Sequence, residues 1–335
     1  MISIEPLPQR EQVRAPLPVA PNAPNQHHRQ VPHWRRPLIV AGAAAVAAAI
    51  AIPVALAGSP TPGQGGHRQP GVSILARLAD VAMAQPATVP PGPGQYQYTA
   101  SVEANQACQV GTGQYCALVP EQRQIWIGAD GSGRIRETFG APEFLTSANE
   151  AAWKAAGSPP LGNGTSDTTF GPHALADGPG PLTKAPTNPA ALKTAIENRS
   201  LEGGPPGPAE DFTQIGDLLR ETDASPALRR AAFTVASELP GIVTLGNVTD
   251  HDGRSGIGMA MDSHGVRHEL IFAPETSALM ATETVALVDS PDGYSGVTAG
   301  TVLGWTVYTS SGIVNSLDAT PTGTAPPAPP VTCTA

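Results

Sequence analysis

The chain has 335 residues, of which 40% are hydrophobic, 14% charged and only 4% aromatic, with a net charge of −9 and three cysteines. The charge is divided: five Arg and two Glu before residue 37 give +3, and 14 basic against 26 acidic side chains after it give −12. So acidic a body repels phosphate backbones and anionic head groups, which argues against a nucleic-acid partner, and three cysteines are too few for a disulfide-built scaffold.

Residues 1–36 carry seven prolines and little periodicity, the composition of a disordered or polyproline-like tail. Pro37 to Ala57 is an uncharged run of 21 residues, PLIVAGAAAVAAAIAIPVALA. As a helix it would span roughly 31 Å, enough to cross a hydrocarbon core of about 30 Å. Arg35 and Arg36 precede it, so the tail stays in the cytoplasm and everything after Gly58 lies outside. Cleavage after Ala57 is the rival reading, because Ala55-Leu56-Ala57 has the small-x-small form of a signal-peptide site. The run exceeds the usual signal core, and a retained single-pass anchor is the expectation. Residues 58–71, rich in Gly and Pro, read as a flexible stalk.

An outer domain is expected over 72–313. A helix opens it at 72–85, with Val72, Leu75, Leu78, Ala79 and Ala82 as its apolar stripe and Pro86 as its stop. Strand-like alternation follows at 95–103, then 122–128 and 134–139. Between the first two, Cys108 and Cys116 lie eight apart and are expected to bridge a hairpin loop in an oxidising compartment, the alternative being two unpaired thiols. Residues 140–185 read as irregular, with one short helix near 149–156. Three firmer helices follow: one capped by Thr187 or Asn188, one over 209–221, and one capped by Ser225 with Pro226 in its first turn. Candidate strands close the domain at 242–248, 256–262, 266–273, 279–288 and 297–309, and 314–335 reads as a disordered Pro-rich tail holding the leftover Cys333. Strands early and late around a helical centre indicate an α+β domain, a curved antiparallel sheet covered on one face by helices.

Chemical signatures are few. The chain has no phosphate-binding G-x-x-x-x-G-K-[ST], no G-x-S-x-G, no C-x-x-C and no H-E-x-x-H. His264 and His268 flank a turn, and four residues along a strand set them about 13 Å apart, too far for one metal. Asp250 opens a sequence like the start of a calcium loop, but its twelfth position is Met261 rather than Glu. No catalytic, cofactor or metal residue is assigned, and no enzymatic activity is expected. Tyr96, Tyr98, Trp126 and Trp305 are candidates either for ordinary core or for lining a hydrophobic groove between sheet and helices, open to a lipid or peptide.

Several blocks, in order, resemble an actinobacterial family of single-pass membrane proteins without an established activity: PGPGQYQY (91–98), WIGADGSGR (126–134), PTNPAALKTAI (186–196), DLLRETDASPALRRAAFTVASELPGI (217–242), VTDHDGRSGIGMAM (248–261) and HELIFAPETSALM (268–280). More loosely, ELIFAPETSAL is similar to the D-P-x-T-G turn of periplasmic lipoprotein-carrier and sigma-regulator-binding domains, with Ala273 and Ser277 where Asp and Gly are usual. That resemblance implies a half-open, barrel-like sheet closed by helices. The leading functional expectation is a membrane-anchored extracytoplasmic binding or sensor domain, with the bilayer as partner through 37–57 and an unknown lipid, peptide or protein ligand outside. A lipid or lipoprotein carrier is the alternative, and an envelope hydrolase is third.

Overall fold

A computed structural model describes residues 71–109, 114–162, 164–172, 185–203, 206–220 and 224–321. The tail, the apolar run 37–57, most of the stalk and Cys333 lie outside them. Among the described residues no helix is long and apolar enough to cross a membrane.

Among the described residues, five helices and nine strands follow in the order α1 (Gly71–Met83), β1 (Tyr96–Gln109), β2 (Tyr115–Gly128), β3 (Gly133–Phe139), α2 (Ser147–Ala155), β4 (Thr165–Phe170), α3 (Pro189–Gly203), α4 (Pro208–Leu219), α5 (Pro226–Glu238), β5 (Ile242–Thr249), β6 (Ser255–Ser263), β7 (Val266–Phe272), β8 (Leu279–Ala286) and β9 (Val302–Val314). Local chemistry sets the helix starts. Ser225 accepts from the Leu228 N–H at 3.2 Å ahead of Pro226, Thr146 does the same for Asn149, and Asn188 caps α3 through Ala191.

The nine strands form one antiparallel, curved sheet in the order β4-β3-β2-β1-β9-β8-β7-β6-β5. Two meanders, β1–β4 and β5–β9, are therefore joined where the last strand pairs with the first. Cys108 and Cys116 face each other across β1 and β2 and are bonded, with Cα atoms 4.1 Å apart.

The main core lies on one face. Leu75 and Leu78 of α1, Leu192 of α3, Ile215 of α4 and Phe233 of α5 meet Met259, Met261, Leu270 and Phe272 of β6 and β7. Phe233 and Phe272 touch edge to face, centroids 5.0 Å apart. Each such side chain contributes about 1.5–3 kcal/mol by leaving water. Gly216 brings α4 close to β7, since a Cβ there would lie 3.2 Å from Leu270 Cδ2.

Four sequence expectations change. β1 runs on to Gln109 and β2 begins at Tyr115, so Cys108 and Cys116 lie in paired strands rather than in a loop. β4 lies in the segment read as irregular; it is an edge strand whose side chains are mostly exposed, so no alternation marks it. β9 runs 302–314 rather than 297–309, because Gly300 adopts φ +87 ahead of it and its far end pairs with β1 as far as Val314↔Tyr96. Residues 315–321 belong to the fold and not to the tail: the Trp126 indole N–H donates to the Ala319 carbonyl at 2.8 Å, and Leu317 and Ala319 pack against Trp126 and Tyr98. A buried indole requires an acceptor, and this segment supplies it.

Candidate functional site

Cross-strand register places the four candidate aromatics on the sheet face away from the main helical core. Tyr98 pairs with Trp126 across β1–β2, and Ala104, six residues along β1, pairs with Trp305 of β9. Even positions of β1 share one side, so all of these point the same way. Six strand residues span about 20 Å, so Trp305 is far from the other three. The expected groove between sheet and helices is thus not where these side chains stand, and they divide into two clusters.

The first cluster is closed. Tyr98 and Trp126 are each 1% exposed, with centroids 5.1 Å apart, and Ala100, Val314, Tyr96, Leu317 and Ala319 surround them. Gln124 donates to the Tyr98 hydroxyl at 2.8 Å. Arg134 clamps the strap from outside: it bonds the Leu317 carbonyl at 3.2 Å, the Asp318 carboxylate, and both Asp167 oxygens at 2.6 and 2.7 Å. These residues are a small core with a polar lid.

The second cluster is more open and carries charge. Glu269 on β7 and Glu283 on β8 are directly opposite each other, and Glu283 is directly opposite Trp305 on β9. Beside them Ile271, Ala281 and Val307 form a buried apolar floor that Val248, Met280 and Trp305 extend. Over this patch folds the tip of the β5–β6 hairpin. His251 lies flat on Trp305, with centroids 3.8 Å apart and planes 11° apart, and its backbone N–H favours the charged form of the nearby Glu283 carboxylate.

The hairpin tip is held by an ion pair between buried Asp250 and partly exposed Arg254. Asp250, with a fully buried side chain, accepts from the Asp252 and Arg254 N–H groups at 3.1 and 2.8 Å. Arg254 Nε and Nη2 both reach Asp250 Oδ2 at 2.7 Å, while Nη1 donates to the Tyr308 carbonyl and Nη2 to that of Met280. One guanidinium therefore ties the tip to β8 and β9. The hairpin bends this closely because its inner positions lack side chains: a Cβ on Gly256 would lie 2.5 Å from Ile271 Cγ2, and one on Gly258 3.0 Å from Val248 Cγ2.

The electrostatics follow from this cover. Burial, then the charge of Glu269 and then that of Asp250, push the Glu283 carboxyl up to about 7 against the smaller opposing pull of the His251 N–H. Burial also raises Glu269, with Arg267 opposing and Asp262 adding to the rise. Two carboxylates facing across adjacent strands repel, so the patch favours a shared proton or a positive partner.

Other polar groups sit on the helix side. Glu103, Glu121, Arg123 and Glu137 of β1–β3 are buried there in a row, with Arg123 3.6 Å from Glu137 and Thr306 donating to Glu103 at 3.1 Å. His268 is 3.3 Å from the Thr284 hydroxyl, and burial lowers its pKa. Among the described residues no group of three His, Cys, Asp or Glu is arranged to hold a metal ion. His264, in the β6–β7 turn at φ 50, is 3.4 Å from Asp292 at the surface. The Glu269–Glu283 pair escaped the sequence reading because cross-strand register is not written in either segment.

Comparison with known families and with curated proteins finds no match. A solved structure, the Pseudomonas aeruginosa MucA/MucB complex, aligns at 12% identity and a TM-score of 0.25, covering 76% of this chain and 59% of that one. The chain thus spans about three-fifths of the length of that neighbour, and so slight a likeness carries no argument.

Proposed function

We propose that the chain is a membrane-anchored extracytoplasmic binding domain that takes its ligand on the sheet face away from the helices, at Trp305, Glu283 and Glu269. One observation carries this reading: an aromatic side chain and two facing carboxylates share an apolar floor beneath a hairpin tip. Two opposed glutamates repel, and a ligand with a positive or hydrogen-bond-donating end and an apolar body would match both halves of the patch. The anchor, the cytoplasmic tail and the outward orientation come from the Arg-flanked apolar run at 37–57. The hydrophobic character of the floor also keeps a lipid ligand within this reading, with the charged head toward the glutamates.

The test is native mass spectrometry of the full chain extracted from its own membranes, beside Trp305→Ala. A bound species that is present in the natural chain and lost in the variant is expected. A natural chain that carries nothing, and that binds no component of a membrane-lipid or envelope-peptide extract differently from Trp305→Ala, would overturn the reading.

A further inference from the structure

We propose that the hairpin tip Asp250–Arg254 is a pH-sensitive latch over Trp305, closed on the Glu269–Glu283 pair while that pair holds a proton and loosened once both carboxylates are ionised. The proposal rests on the binding reading only for what the latch uncovers; the opening itself needs no ligand.

The geometry is that of a lid folded onto the sheet face. β5 and β9 are four strands apart in the sheet order, about 19 Å in a flat sheet, yet His251 contacts Trp305 at 3.8 Å between centroids. The curvature of the sheet and the tip folding over its face together close that distance. The tip is attached to the sheet face through the Arg254 fork to two carbonyls and the His251–Trp305 stack. His251, Asp252 and Gly253 are otherwise exposed.

Closing the tip places three carboxylates together. Glu269 faces Glu283 from β7, and Asp250 approaches from the turn with Arg254 already committed to it. Asp252 and His251 complete the charged or titratable groups of the turn, Arg267 and Asp262 flank Glu269, and β9 offers only Trp305. The tip also removes water from Glu283. Ionising both glutamates under that cover sets like charges directly opposite in a partly dry site, whereas an open tip lets water screen them. The sign follows. A carboxyl raised to about 7 under the closed tip, and returned toward its ordinary range when water reaches it, favours the closed tip at acid pH. The closed tip loses ground as pH rises between those values, and the loss is complete above the upper one. A domain outside the membrane meets such a range directly.

Hydrogen exchange read by mass spectrometry on the full chain tests this without any ligand. Protection of residues 250–256, corrected for intrinsic exchange, should fall about tenfold from pH 5.5 to pH 8. It should stay level in Glu283→Gln, which imitates the protonated acid, and in Glu269→Gln, which removes the facing charge. His251→Phe keeps a ring on Trp305 and should retain the response, which assigns it to the glutamates. Residues 226–238 of α5 provide the control and should not respond. A flat natural chain, a response that survives in both Gln variants, or a parallel loss across α5 would each overturn the latch. Ligand loss in Trp305→Ala beside a flat exchange profile would sink the latch and leave the binding reading standing.

Discussion

His251 lies parallel to Trp305, ring centroids 3.8 Å apart, although the two residues belong to opposite ends of a five-strand meander. That contact, with the Arg254 fork, brings the tip of β5–β6 over β8 and β9 and covers the patch. The staple beneath it is Arg254, whose three nitrogens bond Asp250, Met280 and Tyr308.

Replacing Arg254 with Ala should therefore cost about 2 kcal/mol, because it strands a buried Asp250 carboxylate while the partly exposed Arg side limits the loss. For a domain of this size that lowers Tm by roughly 4–8 °C. Thermal unfolding followed by circular dichroism checks it, and Arg254→Lys should recover only part of the loss, since one ammonium cannot reach both carbonyls and the carboxylate.

Glu283 sets a pH dependence of stability with a definite sign. Its carboxyl titrates near 7 in the folded chain, above the ordinary carboxylate range, so the folded state holds the proton where the unfolded state has released it. Stability is then full below about pH 4.5 for this group and falls as pH rises toward 7. Glu283→Gln should remove that slope and stabilise the chain by about 1–2 kcal/mol at pH 8, discounted for the solvent that still reaches the side chain. Urea unfolding at pH 5 and pH 8 measures the difference.

The Cys108–Cys116 bond closes the far end of the β1–β2 hairpin, and the Cys116 N–H also donates to Asn149 of α2 at 3.0 Å. Changing both cysteines to Ser should cost about 2.5 kcal/mol by the loop-entropy estimate. The natural chain treated with a thiol reductant should unfold at the same denaturant concentration as the double variant.

Removing residues 315–335 should expose Trp126. Its indole loses the Ala319 acceptor and its ring loses Leu317. Emission should move to longer wavelength, and the same truncation in a Trp126→Phe background should show no such shift. The stability cost should be about 2–4 kcal/mol, an indole hydrogen bond together with part of an aromatic burial.

Much of this fold is legible where local chemistry repeats. Ser225-Pro226 and the stripe Leu228, Ala231, Ala232, Val235 define α5 without tertiary information, and Tyr96, Tyr98 and Ala100 alternate as a strand must. β4 is not legible, because an edge strand with solvated side chains has no apolar period to show. The site is hidden for a sharper reason. A bulge between Ile271 and Phe272 shifts the β7–β8 register by one, and without it Glu269 would face Thr282 instead of Glu283. A second irregularity, between Ala100 and Ser101 of β1 opposite β9, shifts that pairing by one residue as well. Trp126 and Trp305 look alike in sequence, yet one is sealed by a strap and the other stacked under a hairpin, outcomes that long-range contacts alone decide.

The outward placement of the sheet domain is most directly tested by the thiol state of the chain in its native cells. Lysates alkylated under denaturing conditions should show Cys108 and Cys116 protected until reductant is added, in a chain that sediments with membranes and resists alkaline extraction. Immediate alkylation of both, in a chain recovered from the soluble cytosol, would contradict it.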